Sequence, residues 1–197
     1  MDSFGRIDML IYNAGNSQRS FCLDTDMQVY KTMFELNVLG AECADQGCAA
    51  GGGRAGCWSP RVTSSVAGKV GVPLRTGYCA AKHAVVGFFD ALRSEVAYLG
   101  IRVTTIIPDF IRTSIGCNAL TGSGQPTGKP ESDIDAGMDV SQCAGVVLQG
   151  IADGLEEIAV GIGPEMGLLG LKRKDPTATF RAIEGMAAEI RANAGAS

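Results

Sequence analysis

The sequence predicts an α/β fold built on a doubly wound parallel sheet. Short, nearly continuous apolar runs, the first at residues 7–12, suit strands that are buried on both faces of such a sheet. Longer segments alternate with these runs, most clearly at residues 78–99, and their apolar residues recur at helical spacing. The chain has 197 residues, of which 46% are hydrophobic, so it can bury the core of one domain.

The first strand and the helix after it form the first α/β unit. The strand at residues 7–12 leads to a helix predicted over residues 26–39, with Asp24 or Thr25 as its N-cap. The apolar residues of this helix recur at helical spacing and are expected to face inward: Met27, Tyr30, Met33, Phe34 and Val38. A strand followed by a helix is the repeating unit of parallel α/β folds.

The unit repeats further along the chain. The long helix at residues 78–99 is closed by Gly100, and a β-branched strand at residues 101–107 follows and is stopped by a proline. A helix capped by Ser141 then leads to a short strand at residues 158–161. The inward residues expected in these two helices are Ala81, Val85, Phe88, Phe89, Leu92 and Val96, and then Ala144, Val147, Leu148, Ile151 and Leu155.

Three segments fall outside this alternation. Residues 120–138 predict a long loop after the carboxyl end of a strand, where open α/β sheets form ligand sites. Residues 175–194 predict a C-terminal helix that packs on the domain or on a partner subunit, with Phe180 among its inward residues. Residues 41–61 are glycine-rich without apolar periodicity and predict an aberrant segment, either a local shift of the reading frame or a genuine disordered insertion.

Composition excludes several classes of function. The formal net charge is -4, and 17 basic residues are mixed with 21 acidic ones, so no basic stripe for nucleic acid and no polybasic membrane anchor is predicted. No apolar run reaches the roughly 18 residues of a membrane span, and the chain as given is expected to be soluble. The seven cysteines are an odd number, which favours reduced thiols in an intracellular compartment. Cys43, Cys48 and Cys57 lie far from the only histidine, His83, and no metal site is predicted.

Tyr78 and Lys82 are the first candidates for chemistry. They stand four residues apart at the start of the long helix, so their side chains project from one face, and Ser64 and Ser65 precede that helix after a segment that should be a strand. A phenol with a pKa near about 10 is a poor acid at neutral pH, and a nearby ammonium lowers that pKa. A serine hydroxyl can then orient a substrate carbonyl while the tyrosine supplies a proton. A tyrosine and a lysine at this spacing are also common on helix surfaces, so spacing alone does not establish a site.

Several motifs in a fixed order resemble the short-chain dehydrogenase/reductase family. Asn13 to Gly15 follows the first strand, Leu36 to Val38 lies on the first helix, and residues 64–96 contain the serine, the tyrosine and the lysine. The resemblance spans about residues 4–40 and 62–165. Within the family the sequence is most similar to the dehydrogenase/reductase family member 7 type, whose relatives act on carbonyls of lipophilic compounds such as steroids and retinoids. The resemblance implies a Rossmann-like fold.

The resemblance also implies four catalytic residues. Tyr78 would be the acid/base, and Lys82 would lower its pKa and bind the nicotinamide ribose. Ser65 would orient the carbonyl, and Asn37 would hold a proton-relay water. The implied cofactor is NADP or NAD, and the residue that would choose between them cannot be read.

The implied cofactor contacts lie on two segments. Asn13, Ala14 and Gly15 would line the adenosine side, whereas the backbone of Ile111 and the hydroxyl of Thr113 would meet the nicotinamide carboxamide. The sequence departs from the family pattern at two positions: Tyr12 replaces an asparagine, and Asp109 replaces a glycine that lets backbone approach the nicotinamide.

The start of the chain is a further departure from the family pattern. No counterpart of the opening strand, glycine-rich turn and helix precedes Asp2. We therefore expect a single partial domain over residues 1–197, N-terminally truncated, that binds the cofactor weakly.

Two classes of function follow from the resemblance. The first is an oxidoreductase that interconverts a carbonyl and an alcohol on a small lipophilic substrate, with a homodimer contact through the helix starting at Tyr78. The second is a catalytically inactive fragment of the same family that serves as a binding or oligomerising module.

Overall fold

In the part of the chain that the structure describes, the sheet has four parallel strands. The computed structural model describes residues 9–41 and 59–194. The strands are β1 (Leu10–Tyr12), β2 (Pro60–Thr63), β3 (Thr104–Pro108) and β4 (Glu157–Val160), and they lie side by side in sequence order. Because every pair is parallel, the carboxyl ends of all four strands meet at one edge of the sheet.

Helices occupy the connections between the strands. They are α1 (Met27–Phe34), which continues into a π-helical turn (Glu35–Leu39), α2 (Thr76–Val96), α3 (Ile115–Asn118), α4 (Ser132–Asp135), α5 (Val140–Ala152), α6 (Glu165–Lys174) and α7 (Pro176–Ala194). Short 3-10 turns lie at residues 22–24, 66–68 and 97–99. The predicted α/β class with a parallel sheet is confirmed. Among the described residues, no helix is both long enough and apolar enough to cross a membrane.

The main core lies between the sheet and the first two helices. Its buried residues are Tyr12, Met33, Val38, Val62, Ala81, Val85, Phe89 and Val103. The rings of Tyr12 and Phe89 pack with their centroids 5.6 Å apart, and such aromatic pairs contribute about 1 kcal/mol beyond the area they bury. The tyrosine that departs from the family pattern is therefore a packing residue of β1. Helix α2 ends as predicted, with Gly100 in the left-handed conformation at φ 72°.

The first strand and helix depart from the prediction in two respects. β1 is not buried on both faces: Ile11 is 46% exposed, because β1 is an edge strand of the described sheet and Ile11 lines a cleft. The N-cap of α1 is Asp26, not Asp24 or Thr25, since the Thr25 hydroxyl donates to the carbonyl of Phe21 at 2.7 Å instead.

The inward face of α1 is also shifted from the prediction. Met27 is 68% exposed and Phe34 is exposed as well, whereas Val29 and Met33 are buried. The π-helical turn that follows changes the register, so that Asn37 is buried beside Val38. The prediction from apolar spacing missed this change because it assumes α-helical turns throughout, and a π-turn contains one residue more.

Helix α5 differs from the prediction at its cap and on its apolar face. Its N-cap is Asp139, whose carboxylate accepts a hydrogen bond from the Ser141 backbone at 2.8 Å, and so Ser141 is not the cap. Leu148 and Leu155 were expected inward but are exposed, as is Ala144.

The reason is the place where α5 meets the sheet. The closest approach to β4 is at Gly150, where an added Cβ would lie 2.8 Å from Ile158. The adjacent Ile151 is buried at this contact, whereas Leu148 and Leu155 project elsewhere.

The irregular segments hold more structure than the sequence predicts. Residues 120–138 contain the short helix α4, and α6 was not predicted. In α7 the buried residue is Thr179, whereas Phe180 is exposed. The predicted aberrant segment at 41–61 lies mostly outside the described residues, but Pro60 and Arg61 belong to β2, and a proline is tolerated there because it is the first residue of the strand.

Candidate active site

The start of α2 is held by a side chain from a distant part of the chain. Arg75 stands at the N-cap of α2 and makes no capping hydrogen bond with its side chain. Instead, Gln18 Oε1 accepts a hydrogen bond from the backbone N–H of Gly77 at 2.7 Å. Gln18 is 0% exposed, and its Nε2 donates to Ser20 Oγ and Thr25 Oγ1, each at 3.1 Å. One amide thus satisfies a free donor of the helix and positions the turn that carries Tyr78.

Ser65 and Tyr78 are brought together at the carboxyl edge of the sheet. Ser65 follows β2, and its hydroxyl accepts a hydrogen bond from the backbone of Ala67 at 3.1 Å. Tyr78 is buried in the first turn of α2 and lines the same cleft as Ser65. Burial raises the pKa of the Tyr78 phenol, while the Ser65 side chain and the charge of Arg75 lower it.

Lys82 lies one turn further along α2 and is buried. Its Nζ donates to the carbonyl of Thr63 at 2.9 Å and lies 5.8 Å from the centroid of the Tyr78 ring. Burial lowers the pKa of the Lys82 ammonium to about 8. Burial has the largest effect on the pKa of Tyr78, and Ser65 and Arg75 oppose it; that Lys82 lowers this pKa stays a prediction.

Ser64 and Ser65 have different roles in the structure. The Ser64 hydroxyl is buried and donates to the backbone carbonyl of Lys82 at 3.1 Å, which joins α2 to the end of β2. The neighbouring Ser65 reaches the phenol of Tyr78. Of the two serines named by the sequence, Ser65 is therefore the one placed for chemistry.

Asn37 points into the same region from the π-helical turn. Its Nδ2 donates to the carbonyls of Met33 at 2.9 Å and Asn16 at 3.1 Å. Its Oδ1 is buried and has no hydrogen-bond partner among the described residues. A Cβ on Gly15 would lie 2.7 Å from this oxygen and 3.4 Å from Lys82 Nζ, so only glycine leaves room here. An unpartnered acceptor next to an ammonium is a suitable site for a bound water.

These side chains open into a cleft of about 800 Å³. Most of the residues predicted for the site line it: Asn13, Gly15, Asn37, Ser65, Tyr78, Lys82, Ile111 and Thr113. Ala14 does not line it and is exposed beside them. The cleft lies at the carboxyl ends of the strands, where parallel sheets bind ligands.

The segment after β3 presents backbone groups to the cleft. Met138 donates its N–H to the Phe110 carbonyl at 3.0 Å and accepts from the Arg112 N–H at 2.9 Å. In a parallel ladder this pattern leaves the N–H and C=O of the residue between them, Ile111, directed away from the partner segment. The hydroxyl of Thr113 accepts from the Ile115 N–H at 3.4 Å.

Asp109, the second departure from the family pattern, turns toward the loop after β4. A Cβ on Gly161 would lie 2.3 Å from the Cβ of Asp109, and one on Gly163 would lie 2.4 Å from Oδ2. Both carboxylate oxygens are buried without a hydrogen-bond partner among the described residues. Burial accordingly raises the pKa of Asp109.

Charged residues that the sequence did not single out surround the same cleft. Glu131 is buried and pairs with both Arg75 and Arg19, and the Arg75 guanidinium lies 5.8 Å from the ring centroid of Phe110. Glu165 lines the cleft from the start of α6. No local sequence pattern indicates these residues, since their partners are far away along the chain.

Comparison with known proteins settles the family. The family model described as short chain dehydrogenase matches residues 1–122. The chain belongs to the short-chain dehydrogenase family. The predicted resemblance to this family is thereby confirmed.

Relatives within this family include the member 7 type. Dehydrogenase/reductase SDR family member 7 of Homo sapiens is 37% identical over 175 residues, which cover 83% of this chain and 49% of that protein. Dehydrogenase/reductase SDR family member 7B of Danio rerio is 32% identical over 184 residues, which cover 93% of this chain and 59% of that protein. The chain spans about half the length of these relatives.

Solved structures of the family support the fold. A short-chain dehydrogenase from Streptomyces avermitilis has a TM-score of 0.75 at 23% identity, covering 95% of this chain and 72% of that one. A short-chain dehydrogenase/reductase from Burkholderia phymatum in complex with NAD has a TM-score of 0.74 at 21% identity, covering 88% of this chain and 68% of that one. These likenesses confirm the Rossmann-like fold class.

Proposed function

We propose that this protein is an NAD(P)-dependent oxidoreductase that interconverts a carbonyl and an alcohol on a small lipophilic substrate of the steroid or retinoid class. One observation carries the proposal: Ser65, the buried phenol of Tyr78 and Lys82 line one cleft at the carboxyl edge of the sheet, with the Lys82 ammonium 5.8 Å from the Tyr78 ring centroid. The solved relatives in complex with NAD or NADP support the choice of cofactor.

The residues in the cleft suit a nicotinamide dinucleotide. The outward-directed backbone of Ile111 and the hydroxyl of Thr113 offer the donor and acceptor that a carboxamide needs. Tyr78 and Lys82 would bind the nicotinamide ribose, and Asn13 and its neighbours would face the adenosine side. When bound, this cofactor supplies the hydride acceptor or donor.

The proton chemistry then belongs to side chains of this protein. The Ser65 hydroxyl donates a hydrogen bond to the substrate oxygen, and Tyr78 gives a proton to the same oxygen in the reduction. Burial keeps the phenol protonated, which suits a proton donor. Asn37 Oδ1, buried without a partner among the described residues, would hold the water through which Tyr78 regains its proton past Lys82.

Much of the remaining cleft lining is apolar, which supports a lipophilic substrate. The apolar lining residues include Val72, Phe110, Ile115, Ile134, Val140 and Val147. Apolar walls around a few convergent polar groups are typical of small-molecule sites.

We also propose a homodimer contact along the exposed side of α2. That side carries His83 and the small residues Ala80, Gly87 and Ala91, all exposed in the single chain. Small residues allow two helices to approach closely. Sedimentation velocity with the wild type and with Gly87→Arg tests this contact: a dimer that the variant abolishes supports it, and a wild-type monomer overturns it.

The oxidoreductase proposal is tested by cofactor consumption. The purified protein is incubated with NADPH or NADH and a panel of steroid ketones and retinoid aldehydes, and the oxidation of the cofactor is followed by its absorbance. We expect turnover with at least one substrate and loss of that turnover in Tyr78→Phe. A folded protein that binds NADPH or NADH without any turnover would instead support the inactive binding module.

A further inference from the structure

Glu165 is a buried carboxyl that faces the cleft and has no role in the proton chemistry above. It is the first residue of α6, lies beyond the matched residues 1–122, and is 8% exposed. Within residues 9–41 and 59–194 its carboxyl takes part in no hydrogen bond or ion pair, although it lines the same cleft as Tyr78. Its carboxyl is therefore available to hydrogen-bond a ligand that enters the cleft.

The position of Glu165 is set by the packing of α6. Met166 and Leu169 pack against a small core made of Val66, Val86 and Ile107. This core joins α6 to α2 and β3, so the neighbouring Glu165 is held on a fixed element beside the catalytic helix. Binding groups on helices are positioned more firmly than those on loops.

The charges around Glu165 favour its protonated form. The positive charge that acts on it is that of Arg75, which already pairs with Glu131. Burial, together with the charges of Asp109, Asp133 and Glu131, raises the pKa of Glu165 to about 7, with Arg75 opposing. The carboxyl is therefore protonated in part near neutral pH, and it can both donate a hydrogen bond and accept one.

We propose that Glu165 determines specificity by hydrogen-bonding a hydroxyl group that the substrate carries at a distance from its reacting carbonyl. The inference rests on the proposed function and adds the class of substrate: an apolar skeleton that bears a carbonyl and a second, hydroxylated position. A hydroxyl matches a carboxyl that both donates and accepts, and the apolar walls of the cleft match the skeleton.

The test uses pairs of polycyclic ketones that differ only in the remote hydroxyl. For each pair, kcat/KM is measured with the wild type, Glu165→Met and Glu165→Gln. We expect the wild type to prefer the hydroxylated ketone by about 10- to 100-fold, as for one or two additional hydrogen bonds to a partly buried group. Glu165→Met keeps the side-chain length without the hydrogen bonds. It should bring the ratio of the two kcat/KM values to about 1, mainly because kcat/KM for the hydroxylated ketone falls. Glu165→Gln can still donate and accept, and it should retain most of the preference.

Two comparisons separate the possible failures. Glu189→Met, a matched change at an exposed glutamate of α7, should leave the ratio at the wild-type value. Turnover of both ketones with an equal ratio in wild type and Glu165→Met overturns the role of Glu165 and leaves the proposed function standing. Absence of turnover with either ketone, in a folded protein that has cofactor, overturns both. If Glu165→Met does not fold, Glu165→Ala is measured instead, and it should lose the preference for the hydroxylated ketone in the same way.

Discussion

Gln18 Oε1 and the backbone N–H of Gly77 are joined by a hydrogen bond of 2.7 Å between two segments that lie far apart in the sequence. The bond gives α2 a cap that its own N-terminal residues do not supply. It also fixes the turn immediately before Tyr78, so the geometry of the proposed proton donor depends on a residue outside the catalytic set.

Replacing Gln18 by alanine should lower both stability and turnover. The change leaves the Gly77 N–H buried without an acceptor, which costs about 1 to 3 kcal/mol of the free energy of unfolding. Urea denaturation measures this loss, and Gln28→Ala on the exposed side of α1 is the control. Because Gln18 is a positioning residue, its loss should lower kcat by a larger factor than it changes the KM for the substrate. Equal stability of Gln18→Ala and Gln28→Ala would contradict the capping role.

Tyr78→Phe should abolish turnover and spare the fold. Only the phenolic oxygen is lost, and a positioned proton donor contributes about 10²-fold or more to the rate. Cofactor consumption gives the rate, and circular dichroism reports the fold. Tyr98→Phe, at a tyrosine that is 84% exposed, should behave as the wild type. Activity in Tyr78→Phe above about a tenth of the wild-type value disagrees with the assigned role.

Glu165→Gln should stabilise the protein at alkaline pH and not at acid pH. The pKa of Glu165 is about 7 in the folded protein and 4.5 ordinarily, so the folded state binds more protons between these values. The free energy of unfolding of the wild type therefore falls as pH rises from about 4.5 to 7. Glutamine does not titrate, so Glu165→Gln removes this loss of stability. We expect its free energy of unfolding to exceed that of the wild type by about 1 to 3 kcal/mol at pH ~8.

Urea denaturation at pH ~5 and pH ~8 measures this difference. At the lower pH the glutamine variant should gain little, because the wild-type carboxyl is then protonated in the folded state. Glu189→Gln, at an exposed glutamate, should show no such dependence on pH. A gain that is the same at both pH values would mean that Glu165 does not titrate as described.

Glu131→Gln should loosen the segment at residues 120–138. Glu131 pairs with Arg75 at the start of α2 and with Arg19, and removing its charge leaves Arg75 partly buried without a counterion. We expect a loss of about 1 to 3 kcal/mol, since breaking a buried pair is costly and Arg19 is partly solvated. Hydrogen exchange should increase in residues 120–138 and at the start of α2. Glu184→Gln on α7 is the exposed control.

The sequence predicted the elements whose signals are local. Helix α2 follows from its apolar periodicity and from Gly100, and the resemblance to the family predicted that Ser65, Tyr78 and Lys82 share one site; all three line the cleft. Strands β1, β3 and β4 were found as short apolar or β-branched runs, whereas β2 was expected only as the segment before Ser64. Caps were misplaced by one or two residues, because several side chains near each helix start could serve and the local backbone conformation and hydrogen bonds decide among them.

The parts that were missed depend on contacts between distant segments. Gln18 and Glu131 each bond to a residue more than fifty positions away, and no local pattern carries that information. Helix α6 was missed because it holds two glycines and ends in Lys172, Arg173 and Lys174, which obscure its apolar spacing. Glu165 at its start could be recognised only when α6 was seen to pack beside α2.

The π-helical turn at residues 35–39 makes this part of the chain sensitive to changes in length. The extra residue places Asn37 toward the cleft while Val38 packs in the core. Deleting one residue would let the turn close as an ordinary α-helical turn, which contains about one residue fewer, so the helical segments on either side would keep their faces. The turn itself would have one position fewer, and we expect Asn37 or Val38 to lose its present surroundings. Substitutions in this turn should therefore disturb the local structure less than insertions or deletions do.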